Sequence, residues 1–255
     1  MPAHTRPSCT GTAYTQFYID GFAGAGQHIS KRTKELIPGS PLNALNIEPA
    51  FEEFFLVDLS QERVGNLQKL TADKRNVHVY SGNSNALLIS KIFPMVRYKE
   101  FKRGLCVLDP YGLHLDWNVI KTAAESRTIE IFLNFPVMDM NMNVLLWRPE
   151  GVTEDNIARM NAFWGDDSWR SAAYRKEPTL FGEQEEKQSN EVIVAAFRKR
   201  LQEVAGFKYV PEPAPMRNST GAVVYYLFFA AHDRTADTIL TQILSKYRRE
   251  GKLRG

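Results

Sequence analysis

Phe17-Tyr18-Ile19-Asp20-Gly21-Phe22-Ala23-Gly24-Ala25-Gly26 constrains the fold of this 255-residue chain more than any other stretch. A continuous apolar run is the pattern of a strand buried on both faces, so Phe17, Tyr18 and Ile19 read as the first strand of a parallel sheet. Asp20 stands at its tip. Gly21, Gly24 and Gly26 follow, and glycines let the backbone turn sharply and approach a ligand closely. An open α/β sheet places its ligand site in this way, outside the carboxyl ends of its strands.

The rest of the chain repeats the theme. Apolar runs at 54–58, 77–80, 105–108 and 129–133 read as four more strands. They end at Asp58, at Gly82-Asn83, at Asp109-Pro110-Tyr111 and at Asn134-Phe135-Pro136. Helical segments lie between them. Ser40-Pro41 is a helix start with a capping Ser and Pro at the first position, and Pro49 ends that helix. Ser60 caps a helix carrying Val64 and Leu67 on one face. Leu87, Leu88 and Ile92 mark a third helix, and 117–124 a fourth. Residues 27–39 read as a polar surface connection, and 1–13 as a disordered start.

From 137 to about 203 no strand pattern is evident. Thr153 caps a helix through Ile157 and Met160, and Ile193, Phe197, Leu201 and Val204 share one helical face. This stretch reads as a helical insertion at the ligand edge of a single domain spanning 14–255. Two strands close the pattern, at 207–210 and 222–229, with a polar turn at 218–221 that makes them antiparallel. A last helix covers 235–247. The expected architecture is α/β and Rossmann-like: a seven-stranded, mostly parallel sheet with a C-terminal antiparallel hairpin.

Two cofactor classes use a strand-tip glycine loop. Dinucleotide enzymes prefer G-x-G-x-x-G/A with an acid about 20 residues further on. Here Ile29 occupies the third small position, and Asp58 comes too late. The acid-x-Phe-x-Gly-x-Gly loop instead resembles motif I of S-adenosylmethionine-dependent methyltransferases. That resemblance implies S-adenosylmethionine, with Gly21, Phe22, Ala23, Gly24 and Gly26 around its methionine part and Asp20 near its amino group. A glycine turn without a ligand is the alternative.

The strand ends suit the same cofactor. The peptide N–H groups of residues 22–26 can hold its carboxylate. Asp58 can accept both ribose hydroxyls, because an ionised carboxylate only accepts. Asn83 can donate and accept at the adenine edge. Each residue has a simpler reading as well: Asp58 as a helix cap, Asn83 as an ordinary turn residue.

Asp109-Pro110-Tyr111 resembles the D-P-P-Y motif of amino-methylating enzymes, with one proline in place of two. The resemblance implies that Asp109 and a main-chain carbonyl accept hydrogen bonds from a target amine while Tyr111 stacks on a planar target. Asn134, Phe135 and Pro136 complete the substrate side. Methyl transfer needs no metal; the protein positions the reactants and excludes water.

Five segments carry a family resemblance: residues 18–26, Gly39-Ser40-Pro41-Leu42, Leu108-Asp109-Pro110-Tyr111-Gly112, Leu115-Asp116-Trp117 and Asn134-Phe135-Pro136. In this order they resemble the three-Cys-motif partner protein family, which is bacterial and methyltransferase-like. The resemblance implies a partner encoded nearby, a three-Cys-motif protein similar to radical S-adenosylmethionine enzymes. It supplies no substrate.

A net charge of +3 permits a nucleic-acid partner without requiring one. Lys31-Arg32-Lys34, Arg198-Lys199-Arg200 and the basic tail at 248–254 are either solvated faces or phosphate contacts. Trp147, Trp164 and Trp169 either stack on bases or pack the insertion's own core. Cys9 and Cys106 make no metal-ligand spacing, and Cys106 reads as a small buried hydrophobe. No apolar stretch reaches 18 residues and no signal-peptide core is evident, so a cytoplasmic protein is expected. Three readings follow: a methyltransferase, a non-catalytic cofactor-binding partner, and a nucleic-acid-binding module.

Overall fold

A computed structural model of the chain describes residues 14–29, 35–179 and 182–234. The expected disordered start and final helix lie outside them. Seven strands form one sheet: β1 (Thr15–Asp20), β4 (Glu53–Asp58), β5 (Val77–Ser81), β6 (Lys102–Leu108), β7 (Ile129–Phe135), β10 (Ala214–Arg217) and β11 (Val223–Ala230). Their order is β10-β11-β7-β6-β1-β4-β5. The five from β5 to β7 are parallel, and β11 runs antiparallel to both β7 and β10. The chain builds outward from β1 to β4 and β5, then returns to lay β6 and β7 on the other side. The order therefore reverses between β1 and β6, which is where an open sheet leaves a crevice for a ligand.

Both faces of the sheet are covered. Phe17 and Ile19 face one apolar cluster, while Tyr18 faces a smaller one with Phe54, Leu56 and Leu67. The helices follow sequence signals. Ser60 caps α2 (Gln61–Leu70) by accepting the Arg63 N–H, and Thr153 caps α6 (Glu154–Trp164) by accepting that of Asn156. Asn83 caps α3 (Ser84–Leu87). Of the remaining helices, α1 is Ser40–Ala44, α4 is Trp117–Ser126, α5 is Val137–Asn143, α7 is Trp169–Ala173 and α8 is Asn190–Arg200.

The insertion is bound to the sheet by one aromatic cluster. Phe197 of α8 is fully buried. Its ring lies 4.7 Å from that of Phe135 on β7 and 5.4 Å from that of Phe228 on β11. Phe163, Trp164 and Trp117 complete the group at 5.6, 5.3 and 6.0 Å. Trp164 and Trp169 are buried there, whereas Trp147 is 79% exposed. Two of the basic residues expected on open faces are structural. Arg200 donates to the Trp164 carbonyl and lies over the Trp117 ring, and Arg198 donates to the Val210 carbonyl.

Four expectations are corrected. The insertion is not purely helical: β8 (Tyr174–Thr179) and β9 (Gly182–Lys187) pair antiparallel. Their register sets Arg175 against Glu186 and Lys176 against Glu185. Opposite charges facing each other stabilise this hairpin without any apolar alternation to betray it. Residues 27–39 contain a short hairpin of β2 (Gln27–Ile29) with β3 (Leu36–Pro38), whose strands are too short to show a period.

Residues 207–210 make only a bridge from Tyr209 to Ala231, and the true partner of β11 is β10. Pro215 argues against a strand there, but β10 is the sheet edge, where a missing N–H costs no ladder bond. Val204 is exposed and Ala205 buried, because Leu201–Ala205 is a π turn whose wider step rotates the apolar face.

Phe197→Ala should lower unfolding stability by about 3–5 kcal/mol, measured by urea denaturation. A loss below about 1 kcal/mol would show that this cluster does not anchor the insertion.

Candidate functional site

The carboxyl ends of β1, β4, β5 and β6 surround a cavity of about 960 Å³, at the large end of the range for small-molecule sites. Six residues expected at the site line it: Phe22, Asp58, Asn83, Asp109, Pro110 and Tyr111.

Asp20 does not line the cavity but holds Phe22, which does. It is wholly buried, and its carboxylate accepts from the Ser40 hydroxyl (2.6 Å), the Tyr18 hydroxyl (3.1 Å) and the Phe22 N–H (3.1 Å). Burial raises its pKa to about 6, against the pull of these three donors. Burial, aided by the Asp20 charge, likewise pushes the Tyr18 phenol far up. Ser40 therefore does not cap α1, as its sequence context suggests. Gly39 holds that position, and the Ser40 hydroxyl ties the helix to the end of β1.

The glycine loop is closed by internal bonds. Gly21 N–H donates to the Val107 carbonyl, Ala23 N–H to that of Val57, and Gly24 N–H to Asp58 Oδ2 at 2.9 Å. The Ser84 hydroxyl donates to the Gly21 carbonyl. Gly24 and Gly26 adopt φ of +64° and +81°, a region that costs other residues strain. A Cβ on Gly26 would also come within 2.7 Å of Leu67.

Asp58 accepts from Gly24 N–H and from Ser60 N–H at 2.8 Å, with Arg63 at 3.8 Å. A carboxylate has about four lone-pair sites, so acceptor capacity remains toward the cavity. Asn83 takes its capping role through Oδ1, which accepts from Asn85 and Ala86 N–H. Its NH₂ group is the part left for a ligand.

On the other side of the crevice, Asp109 and Asn134 extend neighbouring strand ends, since β6 and β7 pair Leu108 with Leu133. Asn134 Nδ2 donates to Asp109 Oδ1 at 2.5 Å, and Asn134 Oδ1 is buried without a partner. Burial, and then the Asp109 charge, raise the pKa of Tyr225 on β11. Pro110 is buried. Tyr111 is 89% exposed with its ring 6.2 Å from that of His114 at 18°, a small aromatic shelf at the rim.

The insertion holds this loop in place. Asp139 of α5 accepts from Leu113 N–H and from Arg159 of α6. Gly112, at φ +60°, fits against Asp139 so closely that a Cβ would lie 2.7 Å away.

Asn134, Phe135 and Pro136 do not line the cavity, and the last two are core residues. Nor do Asp20, Gly21, Ala23, Gly24 and Gly26 line it. Sequence reasoning missed Arg63, Asn85, His114, Asp116, Arg159 and Ala162, which all line it. Asp116, just before Trp117, had a readable place at a helix start; Arg159 had no local signal. Among the described residues no cluster of His, Cys, Asp and Glu could hold a metal ion, and no helix is long and apolar enough to cross a membrane.

No protein-family model and no curated protein matches the chain. Solved structures do. The chain is similar to protein LPL1258 from Legionella pneumophila str. Philadelphia 1, at 12% identity over 91% of this chain and 83% of that one, with a TM-score of 0.51. It also matches the methyltransferase domain of a bacterial Hen1, at 12% identity over 85% and 90% of the two chains and a TM-score of 0.41. The sheet order and the antiparallel C-terminal hairpin make this the Rossmann-like methyltransferase fold.

The raised pKa of Asp20 predicts a pH slope in stability. Its folded-state pKa, about 6, lies above the value of about 3.9 in the unfolded chain. Its contribution is fully present below about pH 4 and is lost as pH rises through 6, a change of about 3 kcal/mol. Asp20→Asn keeps an acceptor for Ser40 and Tyr18 and should remove this component. Urea midpoints from pH 4 to 7 would then fall in the wild type and stay flatter in the variant; equal slopes would reject the assignment.

Proposed function

We propose that this chain is an S-adenosylmethionine-dependent methyltransferase acting on an amino group. The observation that carries the reading is the convergence of Asp58, Asn83, Asp109 and Tyr111, from three separate strand ends, on one cavity. Its volume is enough for a cofactor and part of a target together.

The residues present fit this cofactor. Asp58 offers acceptors to ribose hydroxyls, and Asn83 offers an NH₂ donor to a purine edge. When bound, S-adenosylmethionine supplies a methyl group on a sulfonium that needs no further activation. The chain's own work is placement. Asn134 fixes Oδ1 of Asp109, so Oδ2 is the oxygen free to accept an N–H from a target amine and hold its lone pair in line. Asp109 Oδ2 is an acceptor on the cavity wall, which favours a target that donates. Tyr111 and His114 form a face for a planar group, and such stacking contributes about 1–3 kcal/mol per ring. The insertion covers the target side and limits water.

A second reading keeps the cofactor site and gives the chain a protein partner, the three-Cys-motif protein implied by the sequence resemblance. The observation in its favour is the exposure of Met138, Met142 and Trp147, at 40%, 66% and 79%. Large apolar side chains in solvent along one segment are a mark of contact surfaces. Combining Met142→Glu with Trp147→Ala should then abolish co-elution with that partner and leave cofactor affinity unchanged. Methyl transfer by the isolated wild-type chain would show that the partner is dispensable.

Calorimetry with S-adenosylhomocysteine tests the first reading. Asp58→Ala should weaken binding at least about tenfold, the loss of a charge-assisted hydrogen bond. Ligand at about 100 times its dissociation constant should stabilise the wild type by about 2.7 kcal/mol. No binding at millimolar ligand would sink the proposal.

A further inference from the structure

The loop after β1 keeps only part of the donor set expected to hold the cofactor's carboxylate. Phe22 N–H is given to Asp20, Ala23 N–H to the Val57 carbonyl and Gly24 N–H to Asp58. A backbone N–H is one donor, so of the five at 22–26 these three are spent, leaving those of Ala25 and Gly26. An oxyanion entering a partly shielded cavity still needs donors or cations, because leaving it unpaired is costly.

Two lining residues carry a permanent positive charge, Arg63 and Arg159. The Arg63 side chain is 60% exposed and meets Asp58 only at 3.8 Å, so nothing fixes its guanidinium toward the cavity. Arg159 differs. Its side chain is 31% exposed and is fixed at both ends of the guanidinium, Nη1 to Asn156 Oδ1 at 3.0 Å and Nη2 to Asp139 Oδ2 at 3.1 Å. Asp139 is shared, since Leu113 N–H and Asn143 Nδ2 donate to it as well. Arg159 Nε is buried without a partner. A guanidinium has five N–H donors, so those on Nη1 and Nη2 beyond the two bonds remain to be claimed. The group stands beside the target loop: a Cβ on Gly112 would lie 3.3 Å from Nη2.

We propose that Arg159 is the oxyanion-binding residue of this cavity. Its guanidinium takes a carboxylate or phosphate at the Gly112 end, either the cofactor's own carboxylate or an anionic group on the substrate. The inference rests on the methyltransferase reading above. Asp139 and Asn156 are positioning residues that aim the guanidinium, and through Arg159 the insertion becomes part of the binding site.

Calorimetry on the full chain tests this with wild type, Arg159→Ala and Arg159→Lys. The probes are S-adenosylhomocysteine, 5′-methylthioadenosine (which lacks the amino-acid end) and inorganic phosphate. If Arg159 holds the cofactor's carboxylate, Arg159→Ala should weaken S-adenosylhomocysteine about ten- to hundredfold. It should leave methylthioadenosine unchanged, which also shows the cavity intact. If the anion belongs to the substrate, S-adenosylhomocysteine affinity should hold, while phosphate should bind the loaded wild type, fail with Arg159→Ala and return in part with Arg159→Lys. Equal weakening of both nucleosides, or retained S-adenosylhomocysteine affinity without phosphate binding to the wild type, would overturn the proposal. A wild type that binds neither nucleoside would reject the methyltransferase reading instead, and phosphate on the unloaded protein would then decide Arg159.

Discussion

Asp20 is the group on which the rest of the site depends. A carboxylate with no solvent contact is expensive, and three donors make it tolerable. Each donor comes from a different piece of local structure. Tyr18 lies one turn of the strand pleat earlier, Phe22 opens the glycine loop, and Ser40 starts α1. Satisfying one buried acid therefore fixes the strand tip, the loop and the helix in a single arrangement. Asp58 repeats the device one strand away by accepting from Gly24 and Ser60, which ties the loop to β4 and α2. Three of the glycine loop's donors are used within the protein, and that same use removes them from ligand binding.

The β6 end of the cavity is built by a different logic. There the loop after β6 has little internal hydrogen bonding and borrows its shape from the insertion. Asp139 supplies the acceptor for Leu113 N–H, packs against Gly112 and orients Arg159. Asn85 accepts from Asp116 N–H and donates to the His114 carbonyl. The insertion is in turn locked to β7 and β11 through Phe197. A chain of contacts thus runs from the sheet core through the insertion to the loop that carries Asp109 and Tyr111. Geometry at the β1 end of the cavity is set by hydrogen bonds, and that at the β6 end by aromatic packing that reaches to Phe197.

Several features were legible because their causes are local. The five apolar runs, the polar residues closing them and the Ser60 and Thr153 caps follow from patterns within a few residues. So does the antiparallel hairpin at β11, announced by its turn. Asn83 shows how a local reading and a ligand reading can coexist: its oxygen caps α3, and the residue still lines the cavity. The misses have equally physical origins. The β8–β9 hairpin rests on opposed charges, which carry no hydrophobic period. β10 tolerates Pro215 because it lies at an edge. Val204 turned outward because a π turn adds a residue to the helical step.

The sequence by itself determined the class of fold and the order of the strand-end residues, since alternation of buried strands with capped helices leaves few topologies open. It also determined that Asp58, Asn83, Asp109 and Tyr111 would gather at one edge. Tertiary structure alone decided what each group is free to do. Phe22, Ala23 and Gly24 spend their N–H groups inside the protein, Phe135 turns into the core, and Arg159 arrives from a helix with no motif to mark it. The physical reason is that hydrogen-bond capacity and burial are properties of the assembled neighbourhood: a donor is available only if nothing closer has claimed it, and no spacing along the chain records that.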